Sequence, residues 1–216
     1  MKVIIIGAGG QAQVVAGILD QDPRVNIDGF IDVDNKRKGQ LIRGKLILGS
    51  HNLLPKLRNK GVKHAIIAIG DNLIRKQRFL EVKKAGFTLI NAIDPTAHIS
   101  KPINLGEGVV IAPGVNISFN VKIGNNCIIN TASVIEHNVT IGDHSHIGPN
   151  VAIAGATRIG KEAFIGIGAS VINFLKIGNR VVIGAGSVVL NNIPDDATAV
   201  GIPAKIIKIK GKRIKK

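Results

Sequence analysis

From Ile93 to Val189 an aliphatic residue returns at every sixth position, seventeen times in a row, from Ile93, Ile99, Leu105 and Ile111 through to Val171, Ile177, Ile183 and Val189. With about a third of residues aliphatic, such a run arises by chance on the order of 10⁻⁷ times. Neither the 3.6-residue period of a helix nor the two-residue period of a strand produces it. A hexapeptide period belongs to a parallel β-helix, in which short strands turn a corner every six residues and each rung takes about eighteen. The recurrent aliphatic residue points inward. The chain holds six Phe, no Trp and no Tyr, and the three Phe of the repeat fall in outward slots: Phe119 third, Phe164 sixth and Phe174 fourth. A narrow prism filled by stacked aliphatics leaves no room for rings.

The repeat divides the chain. We read residues 1–92 as a front domain, 93–194 as the β-helix and 195–216 as a basic C-terminal tail. The formal charge of +15 is uneven, being +9, +1 and +5 over those three segments. Basic residues gathered away from the prism suit phosphate-bearing small molecules or an anionic surface. The tail, with Lys205, Lys208, Lys210, Lys212, Arg213, Lys215 and Lys216, reads first as a solvated charge cluster. Scarce aromatics and the lack of a DNA-reading motif argue against nucleic acid. No stretch has the pattern of a signal peptide or of an integral membrane segment, and Cys127 is a single cysteine in an inward slot, so the sequence predicts a cytoplasmic protein.

In the front domain the apolar run Lys2 to Ile6 leads into Gly7-Ala8-Gly9-Gly10-Gln11-Ala12 and a helical stretch to Leu19. This is a G-x-G-x-x-G/A turn, whose glycines let the backbone approach a phosphate at a helix N-terminus. A second strand over 27–31 ends at Asp32, where a carboxylate reaches a ribose hydroxyl. A helix after Ser50, a strand over 64–69 ending at Gly70-Asp71-Asn72, a helix over 72–85 and a strand over 88–92 complete a small parallel sheet. Asp32 and Asn72 stand at strand ends, where open α/β sheets bind ligands, or serve there as ordinary turn residues. About 92 residues suffice for one mononucleotide half, not for the two that cradle NAD. The site is therefore predicted to hold one nucleotide with an attached sugar.

Three of the six histidines lie within ten residues, in Glu136-His137-Asn138 and His144-Ser145-His146. All take outward slots. His137 and His146, nine residues apart, stand half a rung from each other and cannot readily meet within one prism, so the spacing predicts a site between subunits. Solvated histidines on a β-helix are the alternative.

The run Ile123 to Pro203 resembles the left-handed β-helix acyltransferases. The whole chain, from Gly7-Ala8-Gly9-Gly10 to Gly201-Ile202-Pro203-Ala204-Lys205, is similar to the sugar O-acyltransferase family that includes sialic acid O-acetyltransferases and nucleotide-linked amino-sugar N-acetyltransferases. The most specific pieces are Asn130-Thr131-Ala132-Ser133-Val134-Ile135-Glu136-His137 and His146-Ile147 with Ala154-Gly155 behind. The resemblance implies a small Rossmann-like α/β domain followed by a left-handed parallel β-helix. It further implies a homotrimer with acetyl-CoA in the crevice between prisms and no metal. His137 is then the general base, flanked by Glu136 and Asn138, with His146, Gly155, Ile167 and Ala185 along the acyl donor. Nucleotide-sugar contacts fall at Gly7, Gly9, Gly10, Gln11, Asp32, Val33, Gly70 and Asn72. The acceptor implied is the amine of a nucleotide-linked amino sugar of the 4-amino-4,6-dideoxy type. Rival readings are a sugar hydroxyl, as in sialic acid O-acetylation, a zinc site at His144-x-His146, and a non-catalytic nucleotide-sugar scaffold. Two departures stand out: Asn138 replaces the acidic residue that usually follows the base, and Gln11 replaces a histidine.

Overall fold

The computed structural model describes residues 1–32 and 35–213. The front segment builds one six-stranded sheet from β1 (Lys2–Ile6), β2 (Asn26–Ile31), β3 (Leu41–Ile42), β4 (Lys45–Gly49), β5 (His64–Ile67) and β6 (Thr88–Leu89), in the order β3-β4-β2-β1-β5-β6. Three α-helices pack on it: α1 (Gly10–Leu19), α2 (Leu54–Asn59) and α3 (Asn72–Lys84). All pairs are parallel except β3 with β4. That hairpin escaped the sequence reading because Leu41 and Leu46 are exposed and carry no alternating pattern. Central β1 is apolar throughout its length after Lys2 and buried on both faces, as a doubly covered parallel strand requires. The strand expected over 88–92 is two: β6 stays in the front sheet, while Ala92–Ile93 pairs into the first rung of the prism.

Beyond Asn91 the chain winds as a left-handed parallel β-helix with three faces. From Ala92 to Val189 the pairings along a face join residues eighteen apart, as in Val110 with Ile128, Ile128 with His146, His146 with Phe164 and Phe164 with Val182, and only the closing pairs such as Val182 with Thr198 are sixteen apart. Inside, the aliphatic column and its neighbours form one continuous core that includes Cys127. Burial pushes the Cys127 thiol up to about 12, so it packs as a small hydrophobe. Phe119, Phe164 and Phe174 are all exposed. The corners are made by a residue at positive φ every sixth position from Gly108 to Gly186, with φ between 53° and 69°. Asn120, Asn126, Asn138 and Asn150 take that conformation readily, whereas Ala132, Ala156, Glu162, Phe174 and Arg180 hold it against their own preference.

The first face carries nine strands and is capped at both ends. At its N-terminal end the outward residues Ala92, Val110 and Ile128 belong to the same buried cluster as Val3, Ile5, Val15 and Ala16, so the front sheet docks there. At the far end, residues assigned to a solvated tail extend the face as strands Ala197–Val200, Lys205–Ile209 and Lys212–Arg213, the last two antiparallel. Ile206 and Ile209 rest against the prism core while the charged side chains stay at the surface. Lys215 and Lys216 lie outside the described residues. Among the described residues no helix is long and apolar enough to cross a membrane.

Candidate active site

Two neighbouring loops at the C-terminal edge of the front sheet, after β1 and after β5, face the prism. Gly7 (φ 117°) lies so close to the second that a Cβ on it would stand 2.5 Å from the Ala68 carbonyl, so it serves chain packing. Gly9 and Gly10 have nothing within 4 Å of a Cβ position and border open space. Gly9 caps α1 with no side-chain hydrogen bond and no acidic residue in the first turn, leaving the helix N-terminus available to an anion. Gln11 is half-buried beside it. Asp32 follows β2 and pairs with Arg37, whose Nη1 lies 3.1 Å from Asp32 Oδ2 and donates to the Ala8 carbonyl at 2.8 Å. Val33 lies outside the described residues.

The second loop, Gly70-Asp71-Asn72, is fastened to the prism by Arg75. Its side chain is 0% exposed. The guanidinium donates to the carbonyls of Asn126, Ile69, Gly70, His144 and Ser145 and to Asn72 Oδ1. Burial pulls the Arg75 pKa down to about 10, and carbonyl oxygens rather than a carboxylate accept its hydrogen bonds. Asn72 is spent in the same way. Its amide donates to the carbonyls of Glu162 and Ala163 at 3.0 Å each, so both of its side-chain N–H groups hold the prism. Sequence reasoning passed over Arg75, though the signal was there: with Phe79 and Val82 it forms the i, i+4, i+7 stripe that α3 buries.

His144 and His146 point away from the prism interior, as their slots require. They are nevertheless only 8% exposed, because α3 and the loop after β5 cover them. His144 stacks edge-on against Phe79, and its Nδ1 lies 2.9 Å from the Asn126 amide. His146 Nδ1 stands 3.2 Å from the Gly70 carbonyl and its Nε2 stands 3.3 Å from the Asn130 amide. Donation to a carbonyl fixes the proton on Nδ1. Burial lowers His146 to about 4, with the Arg75 charge adding to the effect, so the ring is neutral at physiological pH. The two rings serve separate partners, and no group of three metal-ligating side chains gathers among the described residues. His146 opens onto a groove of about 690 Å³ between α3 and the first face, with Leu73, Phe164 and Val182 as its apolar lining and Glu162 and Arg180 at its rim.

His137 stands on another corner, after Val134–Ile135 on the second face, exposed to solvent. Its ring stacks on Phe119 with centroids 5.5 Å apart and planes at 14°. Asn138 Nδ2 lies 2.9 Å from His137 Nδ1, and Asn138 Oδ1 accepts from the Asn120 amide at 2.5 Å. Glu136 is exposed and makes no side-chain hydrogen bond to the ring. One rung on, Gly155 is the floor beneath His137: a Cβ there would stand 2.6 Å from ring Cε1 and 2.8 Å from Nε2. The Gly155 N–H has no protein acceptor among the described residues, and neither have the N–H groups of Ile167 and Ala185, which occupy successive rungs and are exposed. His137, Asn138 and Gly155 are thus together, and His146, Gly70 and Asn72 are together. The two groups sit on different faces of one prism.

Residues 2–82 match the PglD N-terminal domain family, and residues 120–155 and 156–191 each match the bacterial transferase hexapeptide (six repeats) family. Among solved structures, PerB from Caulobacter crescentus, in complex with CoA and GDP-perosamine, is 39% identical over 95% of this chain and 97% of its own, with a TM-score of 0.91. The chain belongs to the nucleotide-sugar N-acetyltransferases with a hexapeptide-repeat β-helix. The acetyltransferase domain of PglB from Neisseria gonorrhoeae FA1090 is 31% identical over 95% of this chain and 98% of its own, with a TM-score of 0.87. WeeI from Acinetobacter baumannii AYE is 26% identical over 95% and 100%, with a TM-score of 0.85. No curated protein matches the sequence. Both domains are spanned by these likenesses, so this family member carries the glycine turn and the prism in the same relation.

Proposed function

We propose that this enzyme moves the acetyl group of acetyl-CoA to the amino group of a nucleotide-linked 4-amino-4,6-dideoxy sugar. The likeness to PerB over 95% of the chain, with CoA and GDP-perosamine both held by that relative, carries the reading. The nucleotide is assigned to the Gly7–Gln11 turn with Asp32 and Val33, and the sugar extends past Gly70 toward the prism. Acetyl-CoA lies along the prism edge, with its acyl end at His146 and the free N–H groups of Ile167 and Ala185 along its arm. His137 takes a proton from the amine as the nitrogen attacks the thioester carbonyl, and the Gly155 N–H holds the resulting oxyanion. Collapse of that intermediate breaks the C–S bond, and the imidazolium returns its proton to the departing thiolate. No acyl-enzyme is needed, in keeping with the inaccessible Cys127.

His137 and His146 occupy different faces, so a complete site is built from two prisms of a homotrimer. Val134, Ala152, Ser170 and Val188 form an uncharged outward column of small and aliphatic residues on the face beside His137, which lets a second prism approach. Mixed trimers of His137→Ala and His146→Ala proteins are expected to regain activity at composite sites. No recovery after confirmed subunit exchange would place the site within one chain. We place the reaction in cytoplasmic glycan biosynthesis, where acetyl-CoA and nucleotide sugars are available together. The decisive assay incubates the protein with acetyl-CoA and a panel of nucleotide-linked 4-amino sugars and sialic acids while following CoA thiol. Release with an amino sugar is the expected result, and release with hydroxyl acceptors alone overturns it.

A further inference from the structure

Each of the three clustered histidines touches a phenylalanine, and one of these contacts differs from the other two. His144 meets Phe79 at 76° and His146 meets Phe164 at 83°, edge-on in both cases, and burial disfavours the charged form of both rings. His137 instead lies nearly parallel to Phe119, with planes at 14° and centroids 5.5 Å apart. It stays open to solvent, where a ring can take up charge. The pairing follows from the repeat, because Phe119, His137 and Gly155 hold the same corner on three successive rungs. Gly155 backs the ring on one side, since a Cβ there would stand 2.6 Å from Cε1, and Phe119 backs it on the other. Asn138 occupies Nδ1 and leaves Nε2 as the edge open to an amine.

Among the described residues no ion pair reaches this ring. Its neighbours are Phe119, Asn138 and Gly155, with Asn120 behind Asn138, and exposed Glu136 makes no hydrogen bond with it. We propose that Phe119 is a positioning residue for the base: its π-face holds the His137 ring flat on the corner and stabilises the imidazolium formed during acetyl transfer. The assignment rests on the reading above, in which His137 takes the amine proton. Once Nε2 is protonated the ring is a cation, and the face of a benzene ring within about 6 Å attracts it through the ring's quadrupole. That attraction is absent before the proton moves, so it favours the transition state over the bound substrate. Asn138 has no charge to offer, and the stacked ring supplies part of what a carboxylate there would. An aliphatic residue at 119 would fill the space without the quadrupole. Phe119 is 50% exposed and adds little to the core. Its place in a chain of six Phe and no Trp or Tyr is accounted for by the ring it touches.

The test replaces Phe119 in the full chain by its 4-fluoro, 3,5-difluoro and 3,4,5-trifluoro analogues, which keep the shape of the ring and withdraw negative charge from its face stepwise. With acetyl-CoA and a nucleotide-linked 4-amino sugar, kcat should fall with each fluorine, by about two- to fivefold overall, while KM for both substrates stays within about twofold. Phe119→Leu should lose at least as much as the trifluoro form, and Phe119→Trp, with its stronger π-face, should keep the wild-type rate. A second readout needs no turnover. The share of His137 rings that are charged at about pH 6, read by NMR from the C2–H signal that His137→Ala removes, should fall in the same order. An unchanged charged share across the fluorinated series overturns the proposal, as does a rise in KM at constant kcat, which would make Phe119 a substrate contact. If the charged share follows the series yet the wild type transfers acetyl to no acceptor, the acetyltransferase reading fails while the stacked pair stands.

Discussion

At the scale of single residues the site depends on which ring nitrogen of each histidine holds the proton. His146 donates through Nδ1 to Gly70 and has a pKa near 4, far below the unfolded value of about 6.5. The unfolded chain binds this proton first as pH falls, so the stabilising contribution of the neutral ring is complete above pH ~6.5 and is lost toward pH 4. Urea unfolding of wild type and His146→Gln across that range should show the wild type losing about 3 kcal/mol relative to the variant. For His137 the amide of Asn138 approaches Nδ1 as a donor, whereas a base acting through Nε2 needs a proton on Nδ1 and an acceptor beside it. An aspartate at 138 offers only acceptors. We expect His137→Ala to lower kcat by roughly 10² to 10⁴ with acetyl-CoA affinity retained, and Asn138→Asp to raise the rate near pH 7 by about fivefold through stabilisation of the imidazolium. A slower Asn138→Asp enzyme in steady-state kinetics would mean that Asn120 and Asn138 activate the ring in another way.

At the scale of elements, what was legible in the chain is what repeats. Ile93 to Val189 disclosed the prism and its inward column because one residue in six does the same job on every rung. The corners were less visible. Asparagine marks some of them, but His144, Glu162 and Phe174 stand in the same left-handed conformation because the stacked rungs impose it. Ala132 is an exposed case, and Ala132→Gly should raise stability by about 1 kcal/mol, read from chemical denaturation, since glycine accepts φ 55° without penalty. Strands β3 and β4 and the C-terminal hairpin were not legible, being short and outside any repeat. Charge alone described the hairpin as a tail. Its alternation of Lys205, Ile206, Lys208 and Ile209 across a bulge emerges only once the pairing with Ala197–Val200 is known. Asn72 illustrates a different limit: position at a strand end suggested a ligand contact or a turn residue, and neither pointed to the prism carbonyl ninety residues away to which its amide donates.

At the scale of the whole molecule, Arg75 couples the two halves. Its removal leaves buried carbonyls from both sides without a donor, and such losses cost about 3 to 5 kcal/mol. Arg75→Met is therefore expected to shift thermal unfolding downward and to split it, the front sheet melting before the prism in calorimetry. A single unchanged transition would show that the apolar contacts of Ala92, Val110 and Ile128 suffice to hold the halves together. The docking face itself could be read from the sequence in one respect, for Val110 and Ile128 are aliphatic in an outward slot that later rungs give to His146 and Phe164. The pairing of residues eighteen apart also sets rules for how such a chain can change length. Inserting one whole rung after Val171 would leave every side chain on its own face and displace Lys208 from His146 by ~4.8 Å. Inserting a single hexapeptide would keep the core intact yet turn everything beyond it by a third of a revolution, carrying the basic hairpin to a different face from His146. Length variation in this architecture is thus quantised, and only multiples of eighteen residues preserve the alignment of the two ends.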